Sequence, residues 1–170
     1  MSNMNKSNQI NWEFRYFEEL SPEKLYLILA ERQAVFVVEQ NCPFQEADGI
    51  DDKAWHLLGW LGDQLVAYAR IVQPGAKFVE PSIGRIITTS AGRGKGFGIS
   101  LMNESIKRTE ELYPGNNIAL SAQLYLEKFY NKFGFVRFSD IYDEDGIPHI
   151  DMLRNFKNNT FNDPGINTSG

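Results

Sequence analysis

The chain has 170 residues, 42% of them hydrophobic, and its 17 Lys and Arg against 22 Asp and Glu leave a net charge of −5. That length suits one domain with an adequate core, and the acidic balance speaks against nucleic-acid or membrane-surface partners, both of which attract basic patches. The single cysteine, Cys42, excludes an intrachain disulfide, and no apolar run reaches the length of a membrane span, so the expected compartment is the cytoplasm.

Taken in chain order, residues 1–10 are polar, lack the apolar segment of a signal peptide and are expected to be flexible. Trp12–Phe17 alternates like a strand. Ser21 and Pro22 open a helix in which Leu25, Ile28, Leu29, Val35 and Phe36 trace one apolar stripe, ending near Val38. Glu39–Lys53 is an acidic loop, with Glu39, Glu46, Asp48, Asp51 and Asp52 against Lys53. Ala54–Leu61 and Gln64–Val72 read as strands joined by a Gly62-Asp63 turn, and Ile83–Thr89 as the central strand. A helix follows over Phe97–Leu112, with Ile99, Met102 and Ile106 as its stripe and Pro114-Gly115 as its stop. Ile118–Ala122 is a short buried strand. The next helix places Leu126, Phe129, Tyr130 and Phe133 on one face and ends at Gly134. Phe135–Ile141 and Ile147–Leu153 form a last strand pair around Asp143–Gly146. Residues 11–154 thus make one mixed α/β domain, and the Asn- and Thr-rich tail 155–170 is expected to be disordered.

The most informative stretch is Ile83–Leu101, a strand, a glycine-dense loop and a helix start. A helix opening at such a loop aims unpaired N–H groups and the positive end of its dipole at whatever lies in front, and a pyrophosphate satisfies both. Arg93 and Lys95 add positive charge at the rim. The spacing Arg-x-x-Gly-x-Gly is neither the Gly-x-Gly-x-x-Gly of dinucleotide folds nor a P-loop.

Arg93, Gly96 and Gly98 in that spacing resemble the pyrophosphate loop of the GCN5-related N-acetyltransferases (GNAT). Leu120–Phe135, with its Tyr-x-x-x-Gly-Phe ending at Tyr130, Gly134 and Phe135, is similar to the strand and helix that follow in that family. VFVVEQNCPF (Val35–Phe44) and DEDGIPHIDM (Asp143–Met152) resemble its ElaA-like branch. The resemblance implies the acyl-CoA N-acyltransferase fold, a mixed sheet flanked by helices whose central parallel strands splay apart. It further implies transfer of an acetyl group from acetyl-CoA to a primary amine, by direct attack in a ternary complex. The coenzyme would be held by Arg93, Gly94, Lys95, Gly96, Phe97 and Gly98, by the backbone of Ile86, Ile87 and Thr88, and by Gln123 and Phe129. Tyr130 would protonate the departing thiolate, a role its hydroxyl acidity suits, although its place on the apolar stripe also suits a core residue.

Three residues compete for the base. His56 has the best unperturbed acidity, but its strand alternation also fits a buried structural histidine. Glu39 opens the acidic loop, and His149 follows Pro148 on the terminal hairpin. A water chain could replace all three. The acidic loop would attract a small-molecule amine or a peptide or protein amine, or else be merely solvated; its spacing does not fit a calcium loop, and no metal is expected. Cys42 has no base in its motif and is not expected to act as a nucleophile. Aromatic residues left exposed would offer a homodimer surface. One alternative within the fold is an acyl-homoserine-lactone synthase, which resembles this chain at Arg32, Val35, Phe36, Glu46–Asp52 and Arg70; another is a non-catalytic acyl-CoA sensor.

Overall fold

The computed structural model describes residues 9–156. The expected flexible segments 1–10 and 155–170 lie, apart from residues 9, 10, 155 and 156, outside them. Three antiparallel strands form the first half of the sheet: β1 (Asn11–Tyr16), β2 (Ala54–Leu61) and β3 (Gln64–Val72). The β2–β3 hairpin turns at Gly62-Asp63 as its residues dictate, with Gly62 at φ +60°. Every residue of β3 after Gln64 is buried, as in a strand covered on both faces.

Two helices provide that cover. α1 (Pro22–Gln33) starts where Ser21 Oγ accepts the Lys24 N–H at 3.3 Å. Its Ile28 packs with Leu58, Leu65 and Tyr68 on one face. α2 (Phe97–Leu112) packs Leu101, Met102 and Ile106 against Ala67, Ala69 and Ile71 on the other. The stripe of α2 is rotated from the expected one, because Ile99 is 51% exposed while Leu101, Ser105 and Thr109 are buried. The two hydroxyl residues disguise the true face in a reading by hydrophobicity. Thr109 Oγ1 is satisfied by donating to Ser105 O at 2.7 Å.

The apolar helix does not stop at Gln33. Ala34–Glu39 continues it as a π-helical turn, and the Cys42 N–H reaches Val37 O at 3.1 Å. This wider turn packs Val35 and Phe36 against the sheet and brings Glu39 to the cleft described below.

β4 (Ser82–Thr88) pairs antiparallel with β3, and β5 (Ile118–Gln123) lies parallel beside β4. Beyond β5 comes β8 (Ile147–Arg154), whose outer edge carries both β6 (Phe135–Arg137) and β7 (Tyr142–Glu144). The expected strand Phe135–Ile141 is thus reduced to the three residues of β6, while β7 takes up Asp143 and Glu144 of the expected turn, leaving a tight turn at Asp145 (φ +53°) and Gly146 (φ +82°) to join β7 to β8. The expected helix around Tyr130 is likewise shorter: a 3-10 turn at Leu124–Leu126, then α3 (Glu127–Asn131), with Gly134 at φ +85° closing it. Among the described residues no helix is long and apolar enough to cross a membrane.

Candidate functional site

β4 and β5 share a single pairing, Ser82 with Ala119, and separate beyond it. Both strands run away from that point, so the edge of β4 from Ile83 to Thr88 faces no strand on this side. A cleft of about 780 Å³ opens there. Ile86, Ile87 and Thr88 form one wall, Ala122 and Gln123 the other, and Tyr130 lines it from α3. Unpaired strand edges accept an extended ligand through main-chain hydrogen bonds.

β4 is irregular on its other edge as well. Tyr68 pairs with Ile87 and Arg70 with Gly84, so Arg85 and Ile86 stand opposite one residue of β3. This is a bulge, with Arg85 at φ +50°, a conformation an arginine adopts only when its surroundings impose it. The imposing contacts are visible: Arg85 Nε donates to Glu46 Oε1 at 2.6 Å and its Nη2 to Glu46 O at 3.1 Å.

The glycine loop stands at the open end of β4. Thr89 anchors it, its N–H bonding Val66 O at 3.0 Å and its Oγ1 bonding Leu65 O at 2.7 Å. Gly92 sits so close to β3 that a Cβ there would lie 2.3 Å from Val66 O. Gly94 and Gly96 adopt φ +72° and +75°, and a Cβ on either would meet no atom within 4 Å. The N–H groups of Gly94 through Gly98 make no well-formed bond to a backbone carbonyl among the described residues. Open space, left-handed glycines and a fan of free donors stand at the start of a 16-residue helix, a geometry suited to an anion. Gly98 lies against Phe129, whose ring atom Cζ would be in ordinary contact, 3.7 Å, with a Cβ there.

The sequence-predicted residues divide accordingly. Glu39, Ile86, Ile87, Thr88, Arg93, Gln123 and Tyr130 line the cleft, while Gly94, Lys95, Gly96, Phe97 and Gly98 form the loop and helix start at its end. Arg93 Nη2 bonds Glu39 Oε2 at 2.5 Å, joining the loop to the π-helical turn through half-exposed side chains. Gln123, expected to begin a helix, instead ends β5 and donates to Gln40 Oε1 at 3.0 Å. Phe129 packs edge-on to Tyr130 with centroids 5.2 Å apart. Tyr130 is 5% exposed, and burial pushes its phenol above its ordinary pKa.

His56 is not part of the cleft, which corrects its candidacy as a base. It is fully buried on β2, and Nε2 faces Asp51 O at 2.9 Å. A carbonyl only accepts, so Nε2 carries the hydrogen and Nδ1 accepts from the Tyr68 hydroxyl at 2.8 Å. Burial lowers the His56 pKa, with the Asp51 backbone bond opposing it in part, so the ring is held neutral with both nitrogens used.

The acidic loop also differs from expectation. Three of its carboxylates fold inward onto arginines. Arg32, fully buried on α1, donates to Glu46 Oε1 at 2.8 Å and to Asp51 Oδ1 at 2.6 Å. Arg70 forks onto both oxygens of Asp48 at 2.7 Å and reaches Asp51 Oδ1 at 2.9 Å. Glu39 pairs with Arg93, and the exposed Asp52 has no ion-pair partner among the described residues. Cys42 is buried and donates to Asp145 O at 3.2 Å, tying this loop to the β7–β8 turn. Sequence reasoning missed Arg85, Lys77 and Glu144 as cleft residues. None carries a local signal, because each is delivered by the path of a strand or loop.

A family model described as an acetyltransferase (GNAT) domain matches residues 18–156. The chain is 44% identical to ElaA of Escherichia coli over 147 residues, spanning 85% of this chain and 96% of that protein. Its structure superposes on the crystal structure of that ElaA with a TM-score of 0.80 at 43% identity, covering 86% of this chain and 99% of that one. An acyl-CoA N-acyltransferase from Pseudomonas aeruginosa gives a TM-score of 0.82 at 40% identity, with 86% and 99% covered.

Proposed function

The chain belongs to the GNAT acetyltransferase family, and on that premise we propose that it transfers an acetyl group from acetyl-CoA to a primary amine by direct attack. One observation carries the reading: a strand pair joined only at Ser82 and Ala119 opens directly onto a glycine loop with five free N–H donors. A long thioester with an anionic end matches that shape. The pyrophosphate would rest on Gly94–Gly98, with Arg93 released from Glu39 to meet it and Lys95 at the rim. The free edge of β4 at Ile86, Ile87 and Thr88 would pair with the amide-bearing arm, and Gln123 and Phe129 would bound it from the far side.

The bound coenzyme supplies an activated acyl carbon and a thiolate leaving group. The chain's own residues do the remainder. Burial keeps Tyr130 protonated at neutral pH, so its hydroxyl holds a proton for a leaving sulfur at the cleft wall. Glu39, freed from Arg93, presents a carboxylate at the acceptor side. The arginine-filled network around Glu46, Asp48 and Asp51 argues against the synthase reading, because these carboxylates are already neutralised within the protein.

Isothermal titration with acetyl-CoA, followed by a thiol-release screen against amines, tests the reading. Binding with release on one amine class is the expected result. Binding without release from any amine would favour an acyl-CoA sensor, and absence of binding would overturn the loop assignment.

A further inference from the structure

Resting on the transfer reading above, we propose that His149 accepts the ammonium proton of the acceptor, that Glu144 holds that ammonium beside it, and that the acceptor carries an apolar stem. His149 lies on β8 opposite Gln123, the last residue of β5, and lines the cleft with its side chain 13% exposed. Its ring is fixed from two sides. Tyr142 stacks on it with centroids 6.0 Å apart and is itself held by its hydroxyl donating to Asp151 Oδ1 at 2.8 Å. Nδ1 is 2.8 Å from Ile147 O. A carbonyl oxygen accepts only, so Nδ1 carries a hydrogen and Nε2 is the nitrogen that gains or gives up a proton.

Nε2 faces the Glu144 carboxylate, with Oε2 at 3.4 Å, an ion pair whenever the ring is protonated. A proton on Nε2 pairs the ring with this carboxylate, and when Nε2 is unprotonated a primary ammonium beside the two atoms can donate one N–H to each. In the proposed step an N–H bond of the ammonium breaks and an Nε2–H bond forms. The electron pair left on nitrogen becomes the nucleophile, Glu144 stabilises the imidazolium, and the proton passes from His149 to solvent. The titratable and charged groups around the ring are Glu144 and Tyr142 of β7, Asp145 of the turn, and Lys77 of the β3–β4 connection, which faces Glu144.

The same strand supplies the stem's site. Ile147 and His149 are two residues apart on β8 and so share a face. Ile147 and Tyr125, the latter 75% exposed, also line an adjoining recess of about 240 Å³ completed by Leu124 and Pro148. All four side chains there have apolar surface to offer and no charge. A short aryl or alkyl stem would lie against this apolar surface, whereas a polyamine would place a second cation on hydrocarbon.

The test uses the full chain and 2-phenylethylamine, read two ways. Ring-nitrogen NMR of His149 is expected to shift on adding the amine and to lose that response in Glu144→Gln. Thiol release from acetyl-CoA is expected to fall about 10²–10⁴-fold in kcat/KM for His149→Gln, with the acid limb of the pH profile gone and acetyl-CoA affinity by calorimetry unchanged. Glu144→Gln, lacking the anion beside the imidazolium, is expected to move that limb to lower pH. A retained rate and acid limb in His149→Gln would overturn the proposal. So would the lack of any ring response at saturating amine. A ring response without thiol release from the wild-type protein would support the amine site while counting against the transfer reading.

Discussion

Two charged regions flank the same cleft and are built on opposite terms. Around Arg32, Arg70 and Arg85 the protein meets its own charges with Glu46, Asp48 and Asp51, leaving only Glu46 Oε2 and Arg70 Nε without a partner. Around Gly94–Gly98 it does the reverse, leaving a row of donors and open space unmet. Burial explains the first, since an unpaired charge inside a protein costs several kcal/mol. The second is affordable because Arg93–Gly96 are exposed and water can serve the N–H groups until a ligand does. Density of charge in the sequence therefore does not show which charges the fold pairs internally.

The sharpest way to break this contrast is Arg32→Ala. It leaves an excess buried negative charge on Glu46 and Asp51, and we expect a loss of about 3–5 kcal/mol, read as a lower urea midpoint. Gly96→Glu strikes the other region. Nothing lies within 4 Å of its Cβ position, so the fold should survive with about 1–2 kcal/mol of backbone strain, whereas calorimetry with acetyl-CoA should show binding abolished. Unaltered binding by a folded variant would remove the anion-site reading. Tyr130→Phe should lower kcat about 10–100-fold with unchanged coenzyme affinity, because only the proton donor is removed. A rate equal to wild type would make Tyr130 a core residue alone.

The smallest effect is a pH dependence of stability. Burial alone would raise Asp48 and Asp51, but hydrogen bonds and charge from Arg70 on Asp48, and from Arg32 and Arg70 on Asp51, hold both below the usual carboxylate range. A depressed folded-state pKa contributes stability above the unfolded value of about 3.9 and loses it as the pH falls. Thermal melts should thus be flat through neutrality and drop below about pH 4. Arg70→Met should flatten that acid drop.

The cleft was legible in part from sequence, and the pattern of hits is physical. Arg93–Gly98 announced itself because left-handed glycines ahead of a helix act within a few residues. Tyr130 and Gly134 were placed by the same short-range logic, although α3 proved shorter than its apolar spacing suggested. His56 was misjudged as a base candidate because alternation along β2 says which face a residue takes, not whether Tyr68 and the Asp51 carbonyl will close over it. Arg85 was missed altogether, since no residue type marks a bulge that distant carboxylates impose.

By itself, then, the sequence determined the Gly62-Asp63 hairpin, the ends of α2, the glycine loop ahead of α2 and the mixed α/β order of elements. Each of these rests on caps, turns and periodicity, which are properties of neighbouring residues. The tertiary structure alone decided that the acidic loop folds onto arginines, that β4 bulges at Arg85, and that His149 meets Glu144 in the cleft. The decisive bonds in the network span 14 residues from Arg32 to Glu46, 22 from Arg70 to Asp48 and 39 from Arg85 to Glu46. At such separations partner choice follows from where strands and loops are packed, and local patterns carry no record of it.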